Sequence, residues 1–202
     1  GRSMADVLRS TGPLHPDRAA EITVDVAGAL GTAHAAGLVH RLVAFWRLVQ
    51  TGDLLDRGDD ERAIMDMMFR LVGEAAEAGG QVVLLNGNHE FMNAMGDFRY
   101  VTRAGFADFA GLGGDPIPDP MTAEPRAKAL FPGGSYAMKL AGSDMVAVVD
   151  DSVFVHGGVL ERFVSGLERD NRLSRCFLTG EHRDAPVSVL DPEGPLWTRA
   201  FS

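Results

Sequence analysis

The sequence predicts an α/β fold with mixed strand pairing, and three observations carry that expectation. Helix-period stretches alternate with short apolar runs. The runs Leu42–Gln50, Gln81–Leu85 and Ser152–Val155 each stop at a polar motif flanked by glycine. A tight Asp150-Asp151 step separates the last run from its neighbour Met145–Val149, as in a hairpin. The chain has 202 residues, 46% hydrophobic and 23% charged, which is ordinary globular composition for one domain or one domain with an appendage. A net charge of −9 disfavours a nucleic-acid partner, which calls for a basic stripe. No apolar run approaches the roughly 18 residues of a membrane span. The opening Gly1-Arg2-Ser3-Met4-Ala5-Asp6 lacks the pattern of a secretory leader, and the lone Cys176 has no internal disulfide partner. The expectation is a soluble cytoplasmic protein with neither nucleic acid nor membrane as partner.

The elements follow from periodicity and punctuation. Pro16 to Gly37 reads as one amphipathic helix, with proline near its start and glycine after its end. Leu42–Gln50 reads as a strand that stops at Thr51-Gly52-Asp53. A second helix spans about Asp60 to Ala78, with Ile64, Met67, Met68, Leu71, Val72 and Ala75 on one face. Asp59 or Asp60 is its cap, and Gly79-Gly80 ends it. Gln81–Leu85 is continuously apolar, as a strand buried on both faces would be, and a helix follows through Met92 and Met95. Between Gly111 and Gly134 lie five prolines and five glycines, so a loop is expected, with at most a short helix near Ala123–Leu130. The strands Met145–Val149 and Ser152–Val155 come next, then a helix over roughly Glu161 to Leu173 and a polar tail.

The chemistry concentrates at three strand ends: Gly52-Asp53-Leu54-Leu55-Asp56-Arg57-Gly58, Gly87-Asn88-His89-Glu90 and His156-Gly157-Gly158. Carboxyl ends of strands are where α/β sheets gather ligands. A carboxylate such as Asp53 can bridge hard cations, while an Asn oxygen and a neutral imidazole complete mixed N/O spheres. Arg57 offers a forked, permanently charged donor for phosphate oxygens. Taken singly, an Asp-Gly turn, a helix-capping Asn88 or a core His156 would be unremarkable. Three such motifs in order, each ending an apolar run, point to a metal site for oxyanions.

These motifs resemble three successive motifs of the calcineurin-like metallophosphoesterases, closest to the protein serine/threonine phosphatase branch and its Shewanella-like subgroup. Val49-Gln50-Thr51, Phe98-Arg99-Tyr100-Val101-Thr102 and Leu196-Trp197-Thr198-Arg199 add to the likeness, which covers about Trp46 to Ser202. The resemblance implies a two-sheet sandwich flanked by helices, incomplete at both ends and preceded by a helical segment. It also implies a phosphomonoester hydrolase acting on a phosphoprotein or small phosphoester. Asp53 resembles the carboxylate that bridges both metals, and Asn88 and His156 resemble ligands of the second, with Asn88 also touching phosphate. Arg57 resembles the phosphate clamp and Arg199 a second phosphate arginine. His89 resembles the general acid, and Asp56 the carboxylate that orients it. The implied cofactors are divalent ions (Mn, Fe or Zn), two in the intact family and one or none here.

Departures from the pattern set that last expectation. The family's Gly-Asp-x-His-Gly motif, which supplies an Asp and a His to the first metal, has no counterpart, because no Asp-x-His occurs in the chain. Asp25 and His34 lie in the right stretch but on an expected helix. After His156 the single histidine is His182, in a polar loop. Residues 1–41 instead resemble the helical stretch of bacterial serine/threonine protein kinases that leads into a His-Arg-Asp loop. Here His40-Arg41 is followed by Leu42, and no Gly-rich loop, strand lysine or Asp-Phe-Gly is present, which excludes kinase activity. The domain division expected is 1–41, a kinase-like fragment, and 42–202, a phosphoesterase-like core. The rival reading is a non-catalytic or chimeric remnant that binds metal or phosphate weakly; a phosphopeptide-binding module lacks a basic or aromatic groove. Limited proteolysis is expected to cut first near Arg41–Ala44 and release the leading segment. Resistance of that junction at protease levels that cut other loops would count against the division.

Overall fold

The computed structural model describes residues 47–112 and 122–200, all within the second of two units into which the chain divides, Trp46–Ser202. The expected helix Pro16–Gly37 and the start of the strand from Leu42 lie outside the described residues. Strand β1 (Arg47–Gln50) pairs in parallel with β2 (Gln81–Leu84), Arg47 opposite Gln81 and Gln50 opposite Leu84. A parallel pair needs a crossover, and α1 (Glu61–Glu77) supplies it and packs on β2. Its buried face runs through Glu61, Met65 and Met68, while Val72, expected on the apolar face, is 37% exposed. Met68 of the expected face is buried and Ile64, Met67, Leu71 and Ala75 are half-buried, so that face largely holds, with Glu61 and Met65 added to its buried side. Neither aspartate caps the helix through its own side chain. Asp59 Oδ1 accepts from Thr102 Oγ1 at 2.6 Å, and the Arg62 N–H is taken by Asp108 Oδ2 at 2.6 Å. The helix ends as expected at Gly79, whose φ of 79° suits glycine.

Helix α2 (Asn88–Ala94) follows β2 after three residues, and all of it is buried. Two six-residue helices, α3 (Arg103–Asp108) and α5 (Ser135–Leu140), were not expected from the sequence; α4 (Ala123–Leu130) stands where the short helix was. Helices this short complete fewer than two turns, so no periodicity accumulates to mark them. Strands β3 (Val146–Val149) and β4 (Ser152–Val155) form an antiparallel hairpin, Val146 opposite Val155, closed through Asp150 at φ 55°. A parallel bridge between Leu85 and Asp144 links the end of β2 to the hairpin's approach. The expected helix over Glu161–Leu173 is two helices, α6 (Glu161–Val164) and α7 (Leu167–Thr179), separated at Ser165-Gly166; the second runs on to Gly180, left-handed at φ 81°. The expected polar tail contains α8 (Val187–Leu190), and part of it turns inward while Val187 and Leu190 stay exposed. Val189 and Leu196 are buried, and Trp197 Nε1 donates to Val189 O at 2.7 Å.

One apolar cluster joins these pieces, including Leu55, Met65, Phe91, Phe109, Leu130, Tyr136, Met145, Leu178 and Leu196. Leu55 belongs to the loop after β1 and Phe91 to the helix after β2, so the two strand-end motifs are anchored in the same core. Among the described residues no helix is long and apolar enough to cross a membrane.

Candidate active site

The loop after β1 is a sequence that strands and helices reject. Gly52 has φ 99°, and Asp53, Asp56 and Arg57 have φ of 60°, 73° and 61°. Side-chain-bearing residues in that region cost about 1–3 kcal/mol each, so the surroundings must hold them there. Glu90 does much of this work. Its buried carboxylate accepts N–H groups from Asp53 at 2.8 Å, Leu54 at 2.7 Å, Leu55 at 3.2 Å and Gly87 at 2.6 Å. Tyr100 O accepts the Arg57 N–H at 3.1 Å. The two loops also touch directly. A Cβ on Gly52 would overlap the Gly87 backbone, and a Cβ on Gly87 would overlap Asp53 Oδ1, so the glycines of both motifs are fixed by close approach.

This scaffold brings four of the expected site residues into direct contact. Asp53 Oδ2 lies 3.1 Å from His156 Nε2 and 3.7 Å from His89 Nε2, and Asp53 Oδ1 accepts the His89 N–H at 3.2 Å. His89 Nδ1 meets Asp56 Oδ2 at 2.5 Å. His156 Nδ1 meets Thr51 O at 3.1 Å; a carbonyl only accepts, so Nδ1 carries the proton and Nε2 turns toward Asp53. Asn88 sits between Gly87 and His89, and its Oδ1 is buried with no hydrogen-bond partner, an arrangement a folded protein avoids unless something else occupies the oxygen. Arg57 is exposed, with its guanidinium 4.8 Å from the Tyr100 ring centre; that ring lies 5.1 Å from the His89 ring. Arg199 donates from Nη1 to Trp197 O and Thr198 O within its own turn. Pro195 of that turn accepts the N–H groups of Gly157 and Gly158, which docks it on the third motif. His182 is exposed, with Nδ1 2.8 Å from Asp184 O, outside this group of contacts; Asp25 and His34 lie outside the described residues.

The charges are strongly interdependent. Burial alone would raise the Asp53 pKa, but the hydrogen bond and charge of His156, with His89 beside it, hold it below the ordinary carboxylate value. Burial would lower both histidines; Asp53 raises His156, and the Asp56 hydrogen bond with the Asp53 and Asp56 charges raises His89. Glu90 is pushed up by burial and by the Asp53 charge, against the N–H groups that favour its anion.

Sequence reasoning missed what stands behind His89. Arg126, fully buried on α4, reaches Asp56 Oδ1 at 3.1 Å, Asn93 Oδ1 at 2.7 Å, Gly105 O at 2.9 Å and Glu61 Oε2 at 2.6 Å. Asn93 in turn donates to Asp56 Oδ1 at 3.0 Å and to His89 O at 2.9 Å. Glu61 Oε1 accepts the Asp56 N–H at 3.0 Å, and burial lifts its pKa to about 7 although Arg126 pulls it down. Glu90 stood inside a recognised motif without a role. Arg126 lies in the proline- and glycine-rich stretch, where no local pattern marks it.

As donors, Asp53, the orphaned Asn88 Oδ1 and His156 Nε2 are one anionic and two neutral groups, a chemistry that suits a single divalent cation. Among the described residues no group of three His, Cys, Asp or Glu side chains is placed to hold a metal ion. Two cations about 3.5–4 Å apart need more anionic donors than Asp53 to offset their repulsion.

An α/β core with polar motifs gathered at its strand ends is the class that this arrangement defines, and the chain belongs to the calcineurin-like phosphoesterase family, whose pattern matches residues 47–185. It is similar to Shewanella-like protein phosphatase 2 of Arabidopsis thaliana, 38% identical over a 190-residue alignment that covers 77% of this chain and 49% of that protein. It is also similar in structure to a cold-active protein-tyrosine phosphatase of a psychrophilic Shewanella species, with 27% identity and a TM-score of 0.56, covering 77% of this chain and 48% of that one. The chain spans about half the length of these relatives. A separate likeness, 44% identity over 84 residues, covers 37% of this chain and 13% of a "Probable serine/threonine-protein kinase" of Corynebacterium efficiens. The family read from the three motifs is therefore borne out.

Glu90→Gln keeps the size of the side chain but points an amide N–H at groups that are themselves donors. It is expected to lower stability by at least about 2 kcal/mol in urea unfolding, the scale of a buried donor left unsatisfied. Glu61 yields a pH test. Its pKa is about 7 folded against an ordinary 4.5, so the folded state binds more protons between those values and stability falls as pH rises through them. Relative to Glu61→Gln, the wild type is expected to lose on the order of 3 kcal/mol between about pH 5 and about pH 8. A wild-type advantage that is flat with pH would refute the assignment.

Proposed function

We propose that this chain is a metal-dependent phosphomonoester hydrolase core that holds a single divalent ion, Mn, Fe or Zn, through Asp53, Asn88 Oδ1 and His156 Nε2. The observation that carries the reading is the Asp53–His156 contact at 3.1 Å, with the buried, unpartnered Oδ1 of Asn88, next in sequence to Gly87 that touches Asp53, in support. An Nδ1–H bound to a backbone carbonyl is the usual way to leave a histidine's Nε2 lone pair for a metal. Without a cation the same nitrogen faces a carboxylate and must hold a proton, which agrees with the raised pKa of His156.

In this reading Arg57 clamps the phosphoryl oxygens, with Arg199 as a second, more distant donor and Asn88 as a further contact. His89, oriented by Asp56, gives its Nε2 proton to the leaving oxygen. A bound divalent ion supplies Lewis acidity and activates water at neutral pH. The substrate is a phosphorylated molecule, a phosphoprotein or a small phosphoester; the phosphatase names of the relatives support this class. The rival reading, a remnant that binds metal weakly without turnover, draws on the same donor count. The kinase-like segment 1–41 and the boundary at residue 42 belong to this proposal as a fused or chimeric leader.

Titration calorimetry of the chain with Mn²⁺ is expected to give one weak site per chain, lost in Asp53→Asn. Aryl phosphate hydrolysis in manganese is expected to be slow, measurable but only just above background, because a lone carboxylate with two neutral donors activates water poorly. Two tight sites, or brisk turnover abolished by Asp53→Asn, would show that other groups supply the missing ligands.

A further inference from the structure

The most heavily bonded charged side chain behind the site is Arg126. Its side chain is fully buried, and its three guanidinium nitrogens face different elements. Nε donates to Asn93 Oδ1 of α2, Nη2 to Asp56 Oδ1 of the β1 loop, and Nη1 to Gly105 O of α3, while Nη1 also pairs with Glu61 of α1. The Phe109 ring covers it, 5.0 Å from the guanidinium carbon. A planar fork with five N–H groups can satisfy all four partners at once; an ammonium cannot.

What the fork holds is the important point. Asp56 has a fully buried side chain, and each oxygen is committed: Oδ2 to His89 Nδ1, Oδ1 to Arg126 and Asn93. With Oδ1 pinned from two sides the carboxylate cannot rotate, so Oδ2 stays on the imidazole and Nε2 stays on the Asp53 side, 3.7 Å from Oδ2. Asp56 also sits beside the second carboxylate, Glu61, whose oxygen accepts its backbone N–H. Two buried carboxylates packed this closely repel unless a cation lies between them.

We propose that Arg126 is the positioning residue of the His89 proton donor: it acts through Asp56, fixing the carboxylate that holds Nδ1 so that Nε2 faces the candidate metal edge. Its use in catalysis rests on the hydrolase reading above, whereas its effect on the Asp56–His89 hydrogen bond does not. A purely structural role, tying α4 to its neighbours, would leave that bond and the leaving-group dependence of the reaction untouched.

Two readouts separate these possibilities, both on the full chain. The first is the His89 Nδ1–H proton resonance in histidine-labelled protein, assigned by its loss in His89→Gln. A bond as short as this one places it far downfield. In Arg126→Met it is expected to move upfield or to broaden by exchange with water, in protein shown by circular dichroism to be folded. Arg126→Lys keeps the charge and most of the volume but not the fork, and carries the same test if Arg126→Met does not fold. An unchanged resonance in a folded variant overturns the proposal. The second readout is hydrolysis, in manganese, of an aryl and an alkyl phosphate. Loss of a positioned acid is expected to cut kcat at least tenfold more for the alkyl ester, whose poor leaving group needs the proton, with KM unchanged. Equal losses on both esters overturn the catalytic part. A wild type that hydrolyses neither ester, with the resonance shifting as expected, would sink the hydrolase reading and leave the positioning of His89 by Arg126 standing.

Discussion

The site depends on one buried carboxylate that touches no substrate. Glu90 gathers backbone N–H groups from Asp53, Leu54, Leu55 and Gly87, and so welds the ends of two parallel strands together. An ionised carboxylate is acceptor-only, with room for about four hydrogen bonds, and these donors fill it. The left-handed backbone at Asp53 is tolerated because its N–H has this destination. Once Gly87 and Asp53 are held in contact, Asp53 faces the start of α2, where Oδ1 accepts the His89 N–H and Oδ2 meets the His89 ring. The cost is electrostatic: an anion is buried close to the anion of Asp53, and the pKa of Glu90 rises for that reason.

Charge balance governs the layer behind. Arg126 is one cation shared by Asp56 and Glu61, and His89 leans on Asp56 from the other side. With His89 protonated the four groups are neutral; without that proton they carry an excess negative charge in a buried place. Burial raises the pKa of Glu61, with the Asp56 charge adding to it, and the Asp56 hydrogen bond with the Asp53 and Asp56 charges raises that of His89 against burial. A protein with a net charge of −9 has little general positive field to lend, so it must place each cation individually. Arg57 over Tyr100 and Arg126 under Asp56 are two such placements, one open to an incoming anion and one sealed.

The donor inventory explains why family membership and full activity are separate matters here. Family membership rests on three strand-end motifs and the fold that unites them, and these persist across 47–185. Activity rests on how many anionic donors surround the cations, and in the proposed reading Asp53 is the one anion among Asp53, Asn88 and His156. The relatives extend well beyond the stretch that this chain matches.

Much of this was legible in the amino-acid sequence. The strands at Gln81–Leu84 and Ser152–Val155, the helix between β1 and β2, and the motif residues Asp53, Asp56, Asn88, His89 and His156 follow from apolar runs, glycine punctuation and residue chemistry, all local properties of adjacent residues. What lay beyond reach was non-local or too short to build a period. The helices α3 and α5 are six residues long, the break at Gly166 interrupts a helical stretch, and Val189 of α8 and Leu196 after it find their burial only against the distant core. Nothing in the residues next to Glu61 and Arg126 marks them, and only the fold brings a loop, three helices and a turn around them. A buried ion pair is chosen by partners remote in sequence, because the energy that permits a charge to be buried comes wholly from what tertiary structure places beside it.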